Sequence, residues 1–333
     1  MTRRHNLLTE HLLDGAFPFD DPFPLYAQLR ADDPVAWCQD PGFWALTRHE
    51  DVLAASSDTA TFSSASGILV SEIGSTYDDP PTMMHTDPPD HTAYRSLVQP
   101  PFNRGSVEAM RTSVRARAAA LIDDLPVGSP VDIVPALSVP LPIQVIADLL
   151  GLPESDHEQI FLWSEAAIPG AADFSPDEQM ALMGEMTMHL MEVSAARRSA
   201  PVDDVISALA TAELDGRSLD DAELSMFMIQ LLVAGNETTR NMISAGLVAL
   251  AEHPDQWEML RNDRSLVASA VEEILRWTTP VISFMRTATR DVHVADRRIA
   301  AGDHVLLVYA AANRDPAAFG PTADRFDITR SPN

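Results

Sequence analysis

The sequence has very little cysteine and no long apolar run. Cys38 is the only cysteine among 333 residues, which excludes an internal disulfide and a multi-cysteine zinc or iron–sulfur site and fits a reducing compartment. No apolar stretch approaches the ~20 residues that a membrane-spanning helix requires. Residues 1–20 lack the continuous apolar core of a signal peptide. We therefore expect a cytoplasmic protein without membrane insertion.

The sequence also has no lysine and few basic residues of any kind. All 23 basic residues are arginine, against 49 acidic residues, for a net charge of −26. A surface with this charge repels polyanions, so nucleic-acid binding is disfavoured. No glycine-rich nucleotide fingerprint is present, so we do not expect direct binding of NAD(P)H.

Hydrophobic periodicity predicts one mostly helical domain over residues 1–333 with a small β-sheet portion. A long helix is expected from Ser218 to about His253, with Ser218 and Asp221 as its capping box. Other helices are expected at 107–125, 141–150, 156–167, 176–198, 202–214, 256–262 and 266–278. Strands are expected at 35–38, 43–47, 292–294 and 304–308. Residues 56–81 are expected to form a surface loop that covers a site.

The centre of the long helix carries a first motif, Ala234-Gly235-Asn236-Glu237-Thr238-Thr239. Glycine and threonine weaken a helix, and a glycine costs about 1 kcal/mol relative to alanine. A local groove or bulge there would let a flat ligand approach the backbone, and a threonine hydroxyl beside an acid can relay protons. The alternative is a helix crossing at Gly235, with Glu237 and Arg240 as a surface pair.

A second motif, Glu273-Ile274-Leu275-Arg276, places an acid and an arginine one helical turn apart. The same spacing occurs at Glu108/Arg111, Glu237/Arg240 and Glu258/Arg261, so the spacing alone is not diagnostic. Its context sets Glu273/Arg276 apart, because this pair follows the long helix and precedes Asp324-Arg325-Phe326.

The third motif follows two prolines and puts His91 and Arg95 four residues apart on one helix face. Three interpretations stay open. The segment is a solvated helix start, a cationic pair that binds carboxylates, or a site for a hard metal ion formed by His85, Asp87, Asp90 and His91.

Together and in this order, these motifs resemble the cytochrome P450 family of haem-thiolate monooxygenases over essentially the whole chain. The resemblance implies a mainly α fold with a small sheet, and an oxygen-binding groove at Ala234 and Gly235 with Glu237 and Thr238 as its acid–alcohol pair. It also implies three further sets of residues: haem-propionate ligands His91, Arg95 and Arg286, a structural ion-pair triad Glu273, Arg276 and Arg325, and substrate contacts Val281, Ile282 and Phe284. Residues 67–82 are similar to the family's mobile lid.

In this family the axial iron ligand is a cysteine in a loop that follows the triad. The sequence ends at Asn333, before that loop, so we expect a fold that lacks its C-terminal part. Cys38 lies in the first predicted hairpin and is not expected to ligate iron. None of the residues in the sequence is therefore predicted as a metal ligand.

The resemblance implies a haem (iron protoporphyrin IX) enzyme that uses O2 to insert one oxygen atom into a lipophilic small molecule. Electrons would come from a ferredoxin or flavodoxin and its reductase, which alone would use NAD(P)H. Candidate docking residues are Arg104, Arg111, Arg115 and Arg117, which could equally form a solvated helix face. The main alternative function is that of a non-catalytic helical remnant that binds haem or another ligand, and a weaker one is a non-haem metal enzyme.

Overall fold

The computed structural model describes residues 21–74, 83–167, 174–214 and 216–332. These residues divide into two compact units. The mixed unit contains residues 21–74, 84–87 and 245–332. The helical unit contains residue 83 and those residues between 88 and 244 that the structure describes. The expectation of a single domain stays a prediction, and much of the expected lid lies outside the described residues.

The described chain is mainly helical, as predicted. In chain order its α-helices are α1 (Phe23–Asp32), α2 (His49–Ser57), α3 (Asp90–Val98), α4 (Arg104–Asp123), α5 (Pro140–Leu150), α6 (His157–Ala166), α7 (Pro176–Ser199), α8 (Val205–Ala210), α9 (Asp221–Glu252), α10 (Pro254–Asn262), α11 (Val267–Thr278), α12 (Tyr309–Ala312) and α13 (Pro316–Phe319). Within the described ranges, none of the helices is both long and apolar enough to cross a bilayer.

The mixed unit is built on a five-stranded sheet with the order β1-β2-β9-β6-β3. The described residues form the strands β1 (Val35–Cys38), β2 (Phe43–Leu46), β3 (Phe62–Ser63), β4 (Glu213–Leu214), β5 (Arg217–Ser218), β6 (Ser283–Ala288), β7 (Val292–Val294), β8 (Arg297–Ile299) and β9 (His304–Val308). The β2–β9 pairing is parallel and the other pairings in this sheet are antiparallel. The four predicted strands are present, whereas β6, which lies beside β9, was not predicted.

Both faces of this sheet are buried, and β9 shows why. Side chains alternate between the two faces of a strand. Leu306 and Val308 join a cluster with Tyr26 of α1, whereas Val305 and Leu307 join a second cluster on the opposite face. The sheet is thus the centre of the mixed unit and fixes where the side chains of β6 point.

The long helix α9 begins three residues later than predicted and has a different cap. The Asp220 carboxylate accepts a hydrogen bond from the Glu223 backbone N–H at 2.8 Å. The Glu223 carboxylate accepts one from the Asp220 N–H at 3.0 Å. Because Ser218 ends strand β5, the capping box falls on Asp220 and Glu223, and the prediction of Ser218 and Asp221 is wrong.

The helical unit packs around the buried side of α9. Leu224, Met228 and Leu232, which recur every four residues along α9, are 0–1% exposed and belong to one large apolar cluster. The cluster includes Tyr94 of α3 and Ile146 of α5. Residues up to Ser244 of α9 belong to this unit, and the rest of the helix belongs to the mixed unit.

Candidate active site

The middle of α9 exposes one small side chain, with a buried residue two positions away on either side. Ala234 is exposed, whereas Leu232 and Asn236 are buried. The hydroxyl of Thr238 donates a hydrogen bond to the Ala234 carbonyl at 2.8 Å. The helix is continuous through this point, so the groove is formed by small side chains and not by a bulge. A flat apolar ligand could lie against the backbone here.

Gly235 serves a different purpose from its neighbour Ala234. A Cβ atom at Gly235 would lie 3.0 Å from Cδ1 of Ile146 on α5. The absence of a side chain thus permits close packing of α9 on α5, which is the helix-crossing interpretation left open above. Because Gly235 faces α5, the structure does not support the expectation that it contacts the cofactor.

Two polar contacts fix α6 to α9 beside the motif. The Asn236 amide donates to the hydroxyl of Ser164 at 2.7 Å. Arg240 pairs with Glu165. The proposed surface pair of Glu237 with Arg240 is therefore wrong, and among the described residues Glu237 has no ion pair. No ion pair among the described residues therefore neutralises its carboxylate.

The helix α3 carries His91 and Arg95 as predicted, one turn apart. Arg95 is exposed, and within the described ranges neither residue forms an ion pair. Tyr94, between them, is buried. A cationic helix face without carboxylate partners suits an anionic ligand.

The hard-metal interpretation of this segment is not supported. Asp87 accepts hydrogen bonds from the hydroxyl of Ser63 and the backbone N–H of Ser64, and His85 contacts Glu72 at 3.3 Å. In the part of the chain that the structure describes, no group of three or more histidine, cysteine, aspartate or glutamate side chains is placed to hold a metal ion.

On β6, Phe284 and Arg286 share one face of the strand and Met285 points to the other, where it is buried. The Arg286 guanidinium donates to the Met285 carbonyl at 2.7 Å and has no carboxylate partner among the residues described. Phe284 packs edge-to-face on Tyr309, with ring centroids 6.2 Å apart. Val281 and Ile282 are half-buried just before the strand.

The Glu273–Arg276 pair on α11 is almost completely buried. The two side chains are 0% and 3% exposed and form a double hydrogen bond at 2.7 and 2.8 Å. The guanidinium also donates to the carbonyls of Asn313, Ala323 and Arg325 at 2.7–3.0 Å. The pair therefore fastens α11 to the segment that follows α12.

The third charged side chain of this cluster is Arg330. Its Nε donates to Glu273 at 3.2 Å, and the side chain is 5% exposed. Arg325, by contrast, is exposed and contributes only its backbone carbonyl. The prediction of Arg325 as the third member is wrong, because the turn after Arg325 brings Arg330 back onto Glu273. The sequence contains one weak indication of the role of Arg330, since it is a second arginine five residues after Arg325.

Cys38 lies in β1, an edge strand of the large sheet, and is 0% exposed. Its thiol lies 3.5 Å from the Asp40 carbonyl. Because Ala36 and Phe43 share its cluster, the thiol is enclosed by apolar packing. That Cys38 does not ligate iron stays a prediction.

Taken one by one, these patches suit different parts of a haem. The exposed alanine of α9 suits the flat apolar face of a porphyrin, and the carboxylate-free cations on α3 and β6 suit its propionates. The donor sets present on these patches therefore fit the group.

The four arginines considered for partner docking do not form a uniformly basic surface. Arg117 makes a double hydrogen bond to Asp148, both at 2.6 Å, and Arg111 pairs with Glu108 at 2.8 Å. Two of the four charges are thus neutralised locally, and the expected basic patch is at best half its predicted size.

Comparisons with known proteins extend over almost the whole chain. A family model described as Cytochrome P450 matches residues 178–331. Linalool 8-monooxygenase of Pseudomonas putida is 36% identical over 327 residues, which cover 93% of this chain and 80% of that protein. A methyl-branched lipid omega-hydroxylase of Mycobacterium tuberculosis is 36% identical, with coverage of 98% and 78%. The structure of cytochrome P450 CYP268A2 of Mycobacterium marinum in complex with pseudoionone matches with a TM-score of 0.85, at 36% identity and with coverage of 93% and 80%. This match confirms the predicted fold class.

Proposed function

The chain belongs to the cytochrome P450 family of bacterial monooxygenases, and on that basis we propose that it uses haem and O2 to insert one oxygen atom into a lipophilic small molecule. The observation that carries the proposal is the centre of α9, where an exposed alanine adjoins a threonine hydroxyl and a carboxylate without an ion pair. When bound, haem supplies the activation of dioxygen, which side chains alone cannot perform.

Haem binding is assigned to the cations without carboxylate partners. His91 and Arg95 bind a propionate from adjacent turns of α3, and Arg286 is a further propionate ligand. Two propionates bring two negative charges into a protein of net charge −26, so local cations are needed to offset the repulsion.

Proton delivery is assigned to Thr238 and Glu237. The Thr238 hydroxyl proton is held by the Ala234 carbonyl, which turns the oxygen lone pairs outward. Such a hydroxyl accepts a hydrogen bond from a water and holds it in place. The Glu237 carboxylate next to it can exchange protons with that water.

The substrate class is assigned from the relatives and from β6. Linalool, methyl-branched lipids and pseudoionone are lipophilic molecules named for the similar proteins. Val281, Ile282 and Phe284 present apolar surface at the start of β6 and are the proposed substrate contacts. Electrons are assigned to a ferredoxin- or flavodoxin-type partner and its NAD(P)H-dependent reductase.

Two neighbouring threonines provide a matched test of the proton role. In the haem-loaded protein, with a ferredoxin and its reductase and linalool as the probe substrate, Thr238→Ala should lower the product formed per NAD(P)H consumed and raise peroxide release. The rate of product formation should fall by roughly 10²–10⁴-fold, which is the contribution expected of a group in a general acid–base role. Thr239→Ala should leave this ratio unchanged, because Thr239 lines a different surface, with Gly235.

Equal ratios in the two variants would refute the proton role. The carbon monoxide difference spectrum of the reduced protein tests the reaction class separately, because a strongly red-shifted Soret band reports thiolate ligation. Because Cys38 is not expected to ligate iron, a red-shifted band would require a thiolate from outside residues 1–333, and bound haem with an unshifted band would favour the non-catalytic alternative.

A further inference from the structure

The helix that carries the proposed propionate ligands is held by a polar cluster at the start of α9, in which two side chains are buried and the third, an arginine, is exposed. The Tyr94 hydroxyl donates to the Glu223 carboxylate at 3.2 Å. Arg217 donates two hydrogen bonds to the same carboxylate, both at 2.6 Å, from β5. Tyr94 is 7% exposed and Glu223 is 8% exposed. We refer to these three residues as the Tyr94 cluster.

The Glu223 carboxylate is a fixed anchor in this cluster. The hydrogen bonds from Arg217 and from the Asp220 N–H hold the pKa of Glu223 at about 2 against the effect of burial, so it is charged at neutral pH. A charged acceptor makes the hydrogen bond from Tyr94 stronger than one to a neutral group. Edge-to-face packing on Phe227, with ring centroids 5.3 Å apart, holds the tyrosine ring from the side.

Because α3 is short, the contact between Tyr94 and Glu223 affects the orientation of the other side chains on this helix. The helix has nine residues, and Tyr94 and Val98 are its only buried side chains. Leu97 adds a partly buried contact with the same apolar cluster. A short helix with so few core contacts can roll about its axis when one of them is lost. Residue 94 precedes Arg95 and follows His91 by three positions, so a roll would turn both cations away from their ligand.

We propose that Tyr94 is a positioning residue for haem binding, which orients His91 and Arg95 by fixing α3 to Glu223 at the start of α9. The proposal rests on the assignment of His91 and Arg95 to the propionates. It extends that assignment to a residue whose side chain is buried against Glu223 and Phe227.

Titration of the haem-free chain with hemin, followed by the Soret absorbance, measures the effect without any turnover. Tyr94→Phe keeps the ring and its packing and removes only the hydroxyl, and Glu223 retains Arg217 and the Asp220 N–H. We expect the dissociation constant for hemin to rise about three- to tenfold, less than the full worth of a hydrogen bond to a charged group, because the hydroxyl acts on hemin only through the orientation of α3.

Tyr26→Phe is the matched control, because Tyr26 is 0% exposed and its hydroxyl has no hydrogen-bond partner among the described residues. This variant should bind hemin as the unchanged protein does. The unfolding midpoint of each haem-free variant is measured in parallel, and that of Tyr94→Phe should fall only by the few degrees that the loss of one hydrogen bond produces, with the protein still folded at the titration temperature.

A double-variant cycle separates positioning from a general structural role. If Tyr94 acts through Arg95, then Tyr94→Phe should weaken hemin binding less than twofold in the Arg95→Ala background. The same loss with and without Arg95, or no loss in Tyr94→Phe while Arg95→Ala binds weakly, would overturn this inference alone. Unchanged binding in both Arg95→Ala and His91→Ala would overturn the propionate assignment and the inference with it.

Discussion

Two glutamate–arginine pairs in this protein have the same helical spacing and opposite surroundings. Glu273 and Arg276 on α11 are 0% and 3% exposed, whereas Glu108 and Arg111 on α4 are 64% and 66% exposed. Both pairs are doubly hydrogen-bonded with similar distances of 2.7–2.9 Å. The hydrogen-bond geometry of an ion pair therefore does not predict how much the pair contributes to the stability of the fold.

The difference lies in what surrounds the carboxylate. Moving two charges out of water is expensive, and their attraction offsets this cost only when the remaining donors and acceptors are also satisfied. Glu273 also accepts from the Asp327 N–H and from Arg330, and Arg276 donates to three carbonyls. Among the described residues, Arg111 is the one charged partner of Glu108, and the Glu108 side chain is open to solvent. Burial makes the first pair a joint between segments.

Removing the buried carboxylate should have the largest effect. Glu273→Gln leaves two buried guanidinium groups without their counter-charge, so the free energy of unfolding should fall by about 3–5 kcal/mol. Glu108→Gln, the exposed counterpart, should change it by less than about 0.5 kcal/mol. Chemical denaturation of the haem-free protein measures both. Similar effects of the two substitutions would contradict the distinction between the pairs.

The third charged residue should rank next. Arg330→Met removes a buried guanidinium that donates to Glu273 and to the carbonyls of Phe319, Thr322 and Arg325. We expect a loss of about 2–3 kcal/mol, as for hydrogen bonds to a charged group. Arg325→Met, at an exposed side chain, should cost less than about 0.5 kcal/mol. The reverse order of the two would restore Arg325 as the third member.

Much of the helical order could be predicted because periodicity and breakers are local signals. Gly151 stops α5 with a positive φ of 73°, and Pro254 starts α10 directly after α9. The strand β6 was missed because its half-buried sequence does not alternate cleanly, and its partner β9 comes later in the chain. Tertiary pairing, and not local propensity, makes it a strand.

For the candidate site, too, local sequence signals do not predict tertiary contacts. Residue types at helical spacing located His91, Arg95 and Thr238, but spacing could not say that Arg240 turns to Glu165 or that Gly235 faces α5. Those facts depend on which helix packs alongside. The Tyr94 cluster was also missed, because Tyr94 and Glu223 are 129 residues apart in the sequence.

The ion pair of Arg217 and Glu223 is intermediate in exposure between the buried Glu273–Arg276 pair and the exposed Glu108–Arg111 pair. The folded-state pKa of Glu223, about 2, lies below its ordinary value of 4.5. The carboxylate therefore stabilises the fold above about pH 4.5, and this contribution is lost as the pH falls from there towards 2. Because the Arg217 side chain is 54% exposed, solvent screening makes this contribution smaller than that of the buried Glu273–Arg276 pair.

Unfolding of the unchanged protein and of Glu223→Gln, compared at about pH 7 and about pH 3, measures that contribution. The stability difference between the two proteins should be largest at neutral pH and shrink in acid. A difference that is independent of pH would mean that the carboxylate charge does not matter at this position.

The smallest expected effect belongs to the exposed pair itself. A double-mutant cycle with Glu108→Ala and Arg111→Ala should give a coupling of about 0.3–0.5 kcal/mol, as for other helix-surface pairs. Because salt screens exposed charges over about 10 Å at 0.1 M and 3 Å at 1 M, the coupling should fall towards zero at high salt. The same cycle on Glu273 and Arg330 should be almost insensitive to salt, since solvent ions cannot reach side chains that are 0% and 5% exposed. Equal salt dependence in the two cycles would mean that burial does not separate the pairs, and that the shared spacing alone sets their strength.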